Sequence, residues 1–579
     1  MTSHAPIQIL GDAALIAYFQ GNSSNGSALN PFIIDGFLVD ASSAVHGIEI
    51  QDTTLHVLIR NNTIRNARNP AHSSQLPSGI MLKNVTGVSI QDNTIEQNYL
   101  GISVTQSSSI VVTSNALVNN SLIGVGLNFS AYITLRNNDF FNCGLHVLGT
   151  LEDCVSLQID DSNTINGGGR LYYFTSLKGT SIHALPHGSE VFLINCTDVT
   201  VSGLDTSFSS VGIMVLYSTR CIIQDNMITD QNYHCIVIAG SRDCTIRRNV
   251  LAGSYYALGA LLCEGCRFEE NVVTGAIFDG MVILSCNNTV VVKNSFRGNT
   301  EYGIKVVTST SVEIRGNEVR ESEMGIASAW DNDHVDISKN SIINCSQYGI
   351  VVDFSSNVTI RSNTVQYCDH ALRIYQIAGD AMVYLNNFLN STSGHVDLLM
   401  LSTVSWNTTM WGNYWDDHAS IIPGSQQTER GTWVMPYILG TGEVNVTDNH
   451  ALVSPNRLPN ASATIMGNRI TSGKPCTIVF TGDVGDAPAI ITCYFGDGTS
   501  ATMNQQQVLH VFQSAGEYTV TIVITDKHGE QDVVLLVVIV DRDPLVDGLP
   551  LLISISLAVV ASMILVVRIK KRGSPGPRS

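Results

Sequence analysis

The sequence predicts an all-β chain whose main body is a right-handed parallel β-helix. Two observations lead there. A short motif, apolar-x-apolar-x-x-Asn-x-apolar, returns at a nearly fixed interval through most of the chain. A second strand signal of the type Gly-Ile-x-Val precedes each copy. Short strands broken by Gly and Asn at a constant period cannot each bury an apolar face alone, but stacked coils bury all of their inward positions together.

The motif reads VLIRNNTI at Val57 to Ile64, VSIQDNTI at Val88 to Ile95 and ITLRNNDF at Ile133 to Phe140. Its Asn recurs at Asn226, Asn249, Asn271, Asn294, Asn317, Asn340, Asn363 and Asn386, 22 or 23 residues apart. That period suits a coil of three short strands, each coil advancing by one inter-strand spacing of ~4.8 Å. About 14 coils of 22–23 residues fit between Val57 and Trp415. The Asn is expected to sit in a left-handed turn and to hydrogen-bond along the stack. Register loosens between Asn163 and Asn226, where GGGRLYYF and HALPHG suggest an insertion or protruding loop.

The expected organisation is a cap over residues 1–56, the β-helix over 57–418, a linker over 419–460, a second β domain over 461–541 and a C-terminal anchor. Leu549 to Val567 is uncharged and long enough to span a bilayer. Arg568, Lys570, Lys571 and Arg572 follow it at once, which places the tail 568–579 in the cytoplasm and the large N-terminal part outside. Met1 to Gln20 carries no basic and apolar leader, so a signal segment upstream of this start is expected. Asn-x-Ser/Thr sequons at Asn84, Asn128, Asn195, Asn357, Asn407 and Asn445 fit export.

Composition excludes several classes. An apolar content of 44% over 579 residues supports a large core and excludes a disordered chain. A net charge of −18 argues against nucleic acid as partner. The 13 Cys are an odd number, so a complete intramolecular disulfide set is impossible. Cys221, Cys244 and Cys266 fall in an inward column held elsewhere by Val or Ile, and Cys143, Cys345 and Cys368 share another, so they read as small core filler. Neighbouring coils could still bring some pairs within disulfide reach. Cys263-Glu-Gly-Cys266 lacks the second pair that a zinc site needs, and no metal or cofactor is called.

With NPFIIDGFLVD (Asn30 to Asp40) opening the repeats and GNYWDDH (Gly412 to His418) closing them, residues 30–415 resemble the NosD-like right-handed β-helix family. That resemblance implies the carbohydrate-binding and sugar-hydrolysis type of fold, which serves binding proteins, adhesins and polysaccharide-cleaving enzymes alike. YFGDGTS (Tyr494 to Ser500) followed by HVFQSAGEYTVTIVITDKHG (His510 to Gly529) resembles a PKD domain, implying an immunoglobulin-like β-sandwich that acts as a spacer. Cys493-Tyr494 stands where that family commonly has Trp-Asp.

A β-helix enzyme needs carboxylates and bases converging on one outer face. Asp160-Asp161 and Asp416-Asp417 are pairs, but no Gly-His-Gly or Arg-x-Lys of the polygalacturonase type stands on the coils. The outward column of the Gly-Ile-x-Val strands reads Met214, Val237, Gly259, Val282, Lys305, Ala327, Val351 and Arg373, mostly apolar. Lys305 and Arg373 lie three coils apart, ~14 Å by strand spacing, too far to act on one bond. The column before the Gly is richer: His234, Tyr256, Asp279, Tyr302, Met324, Tyr348 and His370. Tyr256, Tyr302, Tyr348 and His370 are candidates for stacking on sugar faces, and Asp279, Lys305 and His234 for acid–base work. Strand parity leaves open whether this column points outward, and the plainer reading is an aromatic stack that seals the corner of the coil. Asp331, Asp333 and His334 are an alternative cation cluster read chiefly as a polar turn, and Trp406, Trp411, Tyr414 and Trp415 a cap on the last coil. The expected function is a membrane-anchored, non-catalytic cell-surface protein binding glycans or other surface components. The alternative is an extracellular polysaccharide lyase, hydrolase or epimerase.

Overall fold

The computed structural model describes residues 1–68, 76–377, 379–399, 404–439, 446–466, 470–503 and 506–542. The predicted span Leu549 to Val567 and the tail 568–579 lie outside them. Among the described residues, no helix is long and apolar enough to cross a membrane. The chain divides into two compact units, residues 1–426 with 433–451, and 427–432 with 452–579.

The first unit is a right-handed β-solenoid of about 16 turns. Each turn contributes one strand to each of three walls, in parallel register with the turns before and after. Wall 1 holds the Gly-Ile strands, wall 2 the strands before the recurring Asn, and wall 3 those after it. The Asn side chains form two ladders, Asn62 to Asn163 and Asn226 to Asn413. Asn249 Nδ2 donates to Asn271 Oδ1 at 2.9 Å, Asn271 to Asn294 at 2.9 Å and Asn294 to Asn317 at 3.0 Å, and the same Oδ1 atoms accept the backbone N–H of the preceding Asn. One structural detail departs from expectation. The left-handed residue is the one before the ladder Asn: Asn61, Asp92, Ser114, Asp225 and Arg248 have φ between 52° and 57°. That turn rotates the chain inward, so the following Asn is buried rather than strained.

The solenoid is not one run of coils. Residues 2–165 build a first stack whose walls 1 and 2 are six-stranded, and residues 169–415 build a second whose walls 2 and 3 have eleven and ten strands. Where the sequence suggested a protruding loop, Asn166-Gly167-Gly168 reverses the chain, and Gly169–Thr175 pairs antiparallel to Thr164–Ile165. The second stack then lays the outer face of its wall 1 across the open end of the first. Met214 and Val237 of the supposed outward column are 2% and 5% exposed and pack with Leu145, Val147 and Ile159 of the last turns of the first stack. Helix α1 (Asp12–Tyr18) covers the other end of the first stack with Leu15, and the first turns already lie within residues 1–56. Helix α2 (Leu151–Ser156), closed by a Thr150/Asp153 capping box, sits beside the joint. Glu190 stitches it: Oε2 accepts the Leu145 N–H at 3.0 Å, and Oε1 those of Ser210 and Val211 at 3.0 and 3.2 Å. Burial pushes its carboxyl up to about 7.

The far end of the second stack is closed within the segment read as a linker. The hairpin Tyr437–Leu439 and Val446–Asp448 lies over Trp415, whose ring stacks on Tyr437 at 4.5 Å and on Phe388 at 4.6 Å. Asp448 Oδ2 ends the Asn ladder, accepting from Asn413 N and Trp415 Nε1 at 2.6 and 3.0 Å. The predicted cap on the last coil is therefore present, with the hairpin added to it. All 13 cysteines are free and buried. The second unit is a β-sandwich of a three-stranded and a five-stranded sheet around Phe480, Cys493, Phe512 and Ile522.

Candidate binding face on wall 1 of the second stack

Beyond the joint, the outer face of wall 1 is lined by half-buried side chains, with Ala327 and Val351 buried beneath them at 0% and 3% exposed. In-register pairing aligns Val282, Lys305, Ala327, Val351, Arg373 and Asp397 in one column. Whether the preceding column shares that face depends on the local geometry at Gly303. Tyr302 pairs with Met324 and Ile304 with Ile326, leaving Gly303 unpaired. Gly303 faces the core, where an added Cβ would come within 2.4 Å of Val319 Cγ1 and 2.7 Å of the Gly325 carbonyl. Two consecutive inward residues put Tyr302 and Lys305 together on the outer face.

Two clusters result. In the first, Lys305 Nζ lies 4.0 Å from Asp279 Oδ2, 4.3 Å from the Tyr302 ring centre and 5.6 Å from that of Trp330. Asp279 Oδ1 accepts the Tyr302 N–H at 3.3 Å. Burial pushes the Asp279 carboxyl up to about 6, against the pull of the Lys305 ammonium. In the second, Tyr348 donates its hydroxyl to Asp397 Oδ2 at 2.9 Å. Arg373 lies 5.4 and 5.8 Å from the Tyr348 and Tyr375 rings and 3.4 Å from Asp353. Burial raises the Asp353 carboxyl. Tyr348 also stacks on His370 at 5.5 Å. Between the clusters, the column is floored by Ala327 and Val351.

The predicted residues divide accordingly. Asp279, Lys305 and Tyr302 meet, as do Tyr348, His370 and Arg373. Tyr256 stands between His234 and Phe278, with ring centres 5.4 and 5.8 Å away, in an aromatic corner leading toward the joint. His234 is a correction. It is 9% exposed, covered by Tyr233 and the first stack, and burial beside His146 holds its imidazole down to about 3, so it is neither accessible nor a base near neutral pH. Of the Asp331, Asp333 and His334 set, read chiefly as a polar turn, Asp333 and His334 open the strand Asp333–Ser338. Asp333 bonds Ser356, Asn357 and His334, while Asn332 belongs to a buried corner ladder. Asp397, Asp353, Tyr375 and Phe278 were missed. Asp397 lay one coil beyond the column read, in register with Arg373, and would have been found by extending it.

The right-handed β-helix region family model matches residues 22–167, 78–254 and 234–388, and the PKD domain model matches 456–539. No curated protein matches in sequence. Among solved structures, the chain is similar to the periplasmic alginate epimerase AlgG (13% identity, 68% of this chain and 87% of that one, TM-score 0.32). It is also similar to a hyperthermoactive exopolygalacturonase from Thermotoga maritima (11%, 52% and 84%, TM-score 0.30). A third is XylC in complex with xylose (12%, 33% of this chain, TM-score 0.27), of whose length the chain spans 42%. Stacked parallel turns, a buried Asn ladder and family matches across most of the solenoid converge, and the chain belongs to the right-handed β-helix family, with a PKD domain after the helix.

Proposed function

We propose that this is a cell-surface glycan-binding protein, held to the membrane through Leu549 to Val567, whose binding face is the outer surface of wall 1 between Lys305 and Arg373. The observation that carries the reading is the pair of aromatic and ionisable clusters that share one outer face, with Ala327 and Val351 buried between them. Tyr302, Trp330 and Tyr348 offer ring faces for apolar sugar surfaces, while Lys305, Arg373 and Asp397 offer hydrogen bonds to hydroxyls. Carboxylates outnumber cations here: Asp279, Glu301, Glu323, Asp353, Asp369 and Asp397 surround Lys305 and Arg373. A neutral glycan suits that balance, and a polyuronate would be repelled. The apolar run with its basic flank, and the sequence resemblance to NosD-like surface proteins, support the extracytoplasmic placement.

A catalytic alternative rests on one observation, the Asp279–Lys305 pair, whose carboxyl titrates near neutrality as an acid–base group should. Asp279 is only 3% exposed, which is why binding leads. The test is to incubate the ectodomain, residues 1–541, with neutral and acidic polysaccharides, measuring retention on immobilised protein and products by mass spectrometry. Retention of neutral glycans without products is expected, with Tyr302→Ala and Tyr348→Ala each weakening it by about tenfold, or ~1.4 kcal/mol. Products that vanish in Asp279→Asn would establish the catalytic reading instead. Retention unchanged in both tyrosine variants would remove wall 1 as the site.

A further inference from the structure

At the last turn of the second stack, three side chains from two separate segments aim donor atoms at one point. His395, on Gly394–Leu399, is 6% exposed, and its Nε2 lies 2.9 Å from Asp416 Oδ1 and 3.4 Å from Asp417 Oδ1. All three donor atoms fall within 4.8 Å of one another. Every other polar atom of the set is held by a neighbour. Ser391 Oγ pairs with His395 Nδ1 at 3.0 Å, the Asn390 N–H donates to Asp416 Oδ2 at 2.7 Å, and the Tyr437 hydroxyl donates to Asp417 Oδ2 at 3.2 Å.

A simple ion pair does not use this arrangement fully. One imidazole Nε2–H satisfies one carboxylate oxygen, and Asp416 Oδ1 is the nearer. Asp417 Oδ1 is then buried with no hydrogen-bond donor among the described residues, beside a second carboxylate. Two carboxylate oxygens and one imidazole nitrogen, each steadied through its other polar atom, are what a cation site needs. In a tetrahedral zinc site with bonds of about 2.0–2.2 Å, neighbouring donors stand roughly 3.4 Å apart, and the His395 nitrogen lies 2.9 and 3.4 Å from the two carboxylate oxygens. We infer that His395, Asp416 and Asp417 form a binding site for a divalent cation of the zinc or manganese type. One imidazole with two carboxylates suits those ions, and the partial exposure of both aspartates leaves an entry path and positions for water. The ion would tie the last wall 1 strand to the corner after Trp415, and through Tyr437 to the covering hairpin. This site is independent of the glycan face.

The experiment uses the full chain, stripped with chelator and dialysed against micromolar Zn²⁺ alone, with bound metal measured by elemental analysis and thermal unfolding followed in parallel. One equivalent of zinc and a raised Tm are expected. Asp417→Asn, which keeps the His395–Asp416 pair, and His395→Gln should each weaken retention by about tenfold or more. Co²⁺ bound in place of zinc should show no thiolate charge-transfer band, which separates this site from the buried cysteines. Failure of the folded chain to retain zinc, or retention unchanged in both variants, would overturn the assignment.

Discussion

Glu190 shows how much depends on single buried groups. Its carboxyl accepts three backbone N–H groups, yet burial still pushes it from 4.5 up to about 7. The folded chain therefore holds a proton that the unfolded chain has already released. Stability from this group is full below about pH 4.5 and is lost as pH rises through 7, amounting to about 3 kcal/mol over the window. The first thermal unfolding transition should fall between pH 5 and 8, and Glu190→Gln should flatten that slope. An equal slope in the variant would place the pH dependence elsewhere. Asp448, pushed up to about 6 by burial at the end of the Asn ladder, contributes a weaker slope of the same sign.

Among elements, the Asn ladder is the one that repeats. Asn294 accepts from Asn271 through both backbone and side chain, and donates to Asn317 Oδ1 and to the Phe268 carbonyl at 3.0 Å. Truncating it removes the acceptor of the Asn271 backbone N–H and amide and the side-chain donor to the Phe268 carbonyl, while Asn317 Oδ1 keeps the backbone N–H of residue 294. Asn294→Ala should cost about 3 kcal/mol, and amide exchange at Asn271 and its neighbouring turns should accelerate while the PKD domain is untouched. Protection retained at Asn271 would show that water replaces the side chain. The same repetition explains how the column before the Gly came to face outward. At each Gly-Ile pair two consecutive residues face the core, and at Gly303, Gly325 and Gly349 an added Cβ would come within 2.7 Å of the next turn's backbone carbonyl, although Cys235, Ala257 and Ala371 fill the same position in other turns.

At the scale of the whole molecule, the joint between stacks decides what wall 1 can do. Its first strands have both faces buried, one in the core of their own stack and one on the end of the other. Only turns beyond the joint present partly exposed side chains on that face, at Val282, Lys305, Arg373 and Asp397. Met214 and Val282 occupy the same column, three turns apart. Met214→Asp should destabilise the chain by about 4 kcal/mol or more, because it buries a charge against Leu145 and Val147. Val282→Asp, on the partly exposed stretch, should change stability by less than about 1 kcal/mol. Similar losses in the two variants, measured by urea unfolding, would mean that the stacks do not pack in solution.

Periodicity alone determined the coil, its three walls, the inward cysteines and the aromatic cap at Trp415. Each of these is local: a strand buries alternate residues wherever neighbouring turns exist, and the 22- to 23-residue spacing guarantees the neighbours. The same logic set Tyr302, Tyr348 and Asp279 in one column and Lys305 in another, and strand parity left open whether the first pointed outward. What it could not carry was any contact between parts unrelated by the repeat. The reversal at Gly167-Gly168 folds one stack against the other, burying Met214, Val237 and His234, which a repeat reading must treat like Val282 and Tyr302. His395 meets Asp416 and Asp417 across twenty residues of broken period, where alignment of turns no longer says what lies beside what. Burial by a second body and convergence at a chain end are decided by tertiary packing, and for that reason only the structure supplied them.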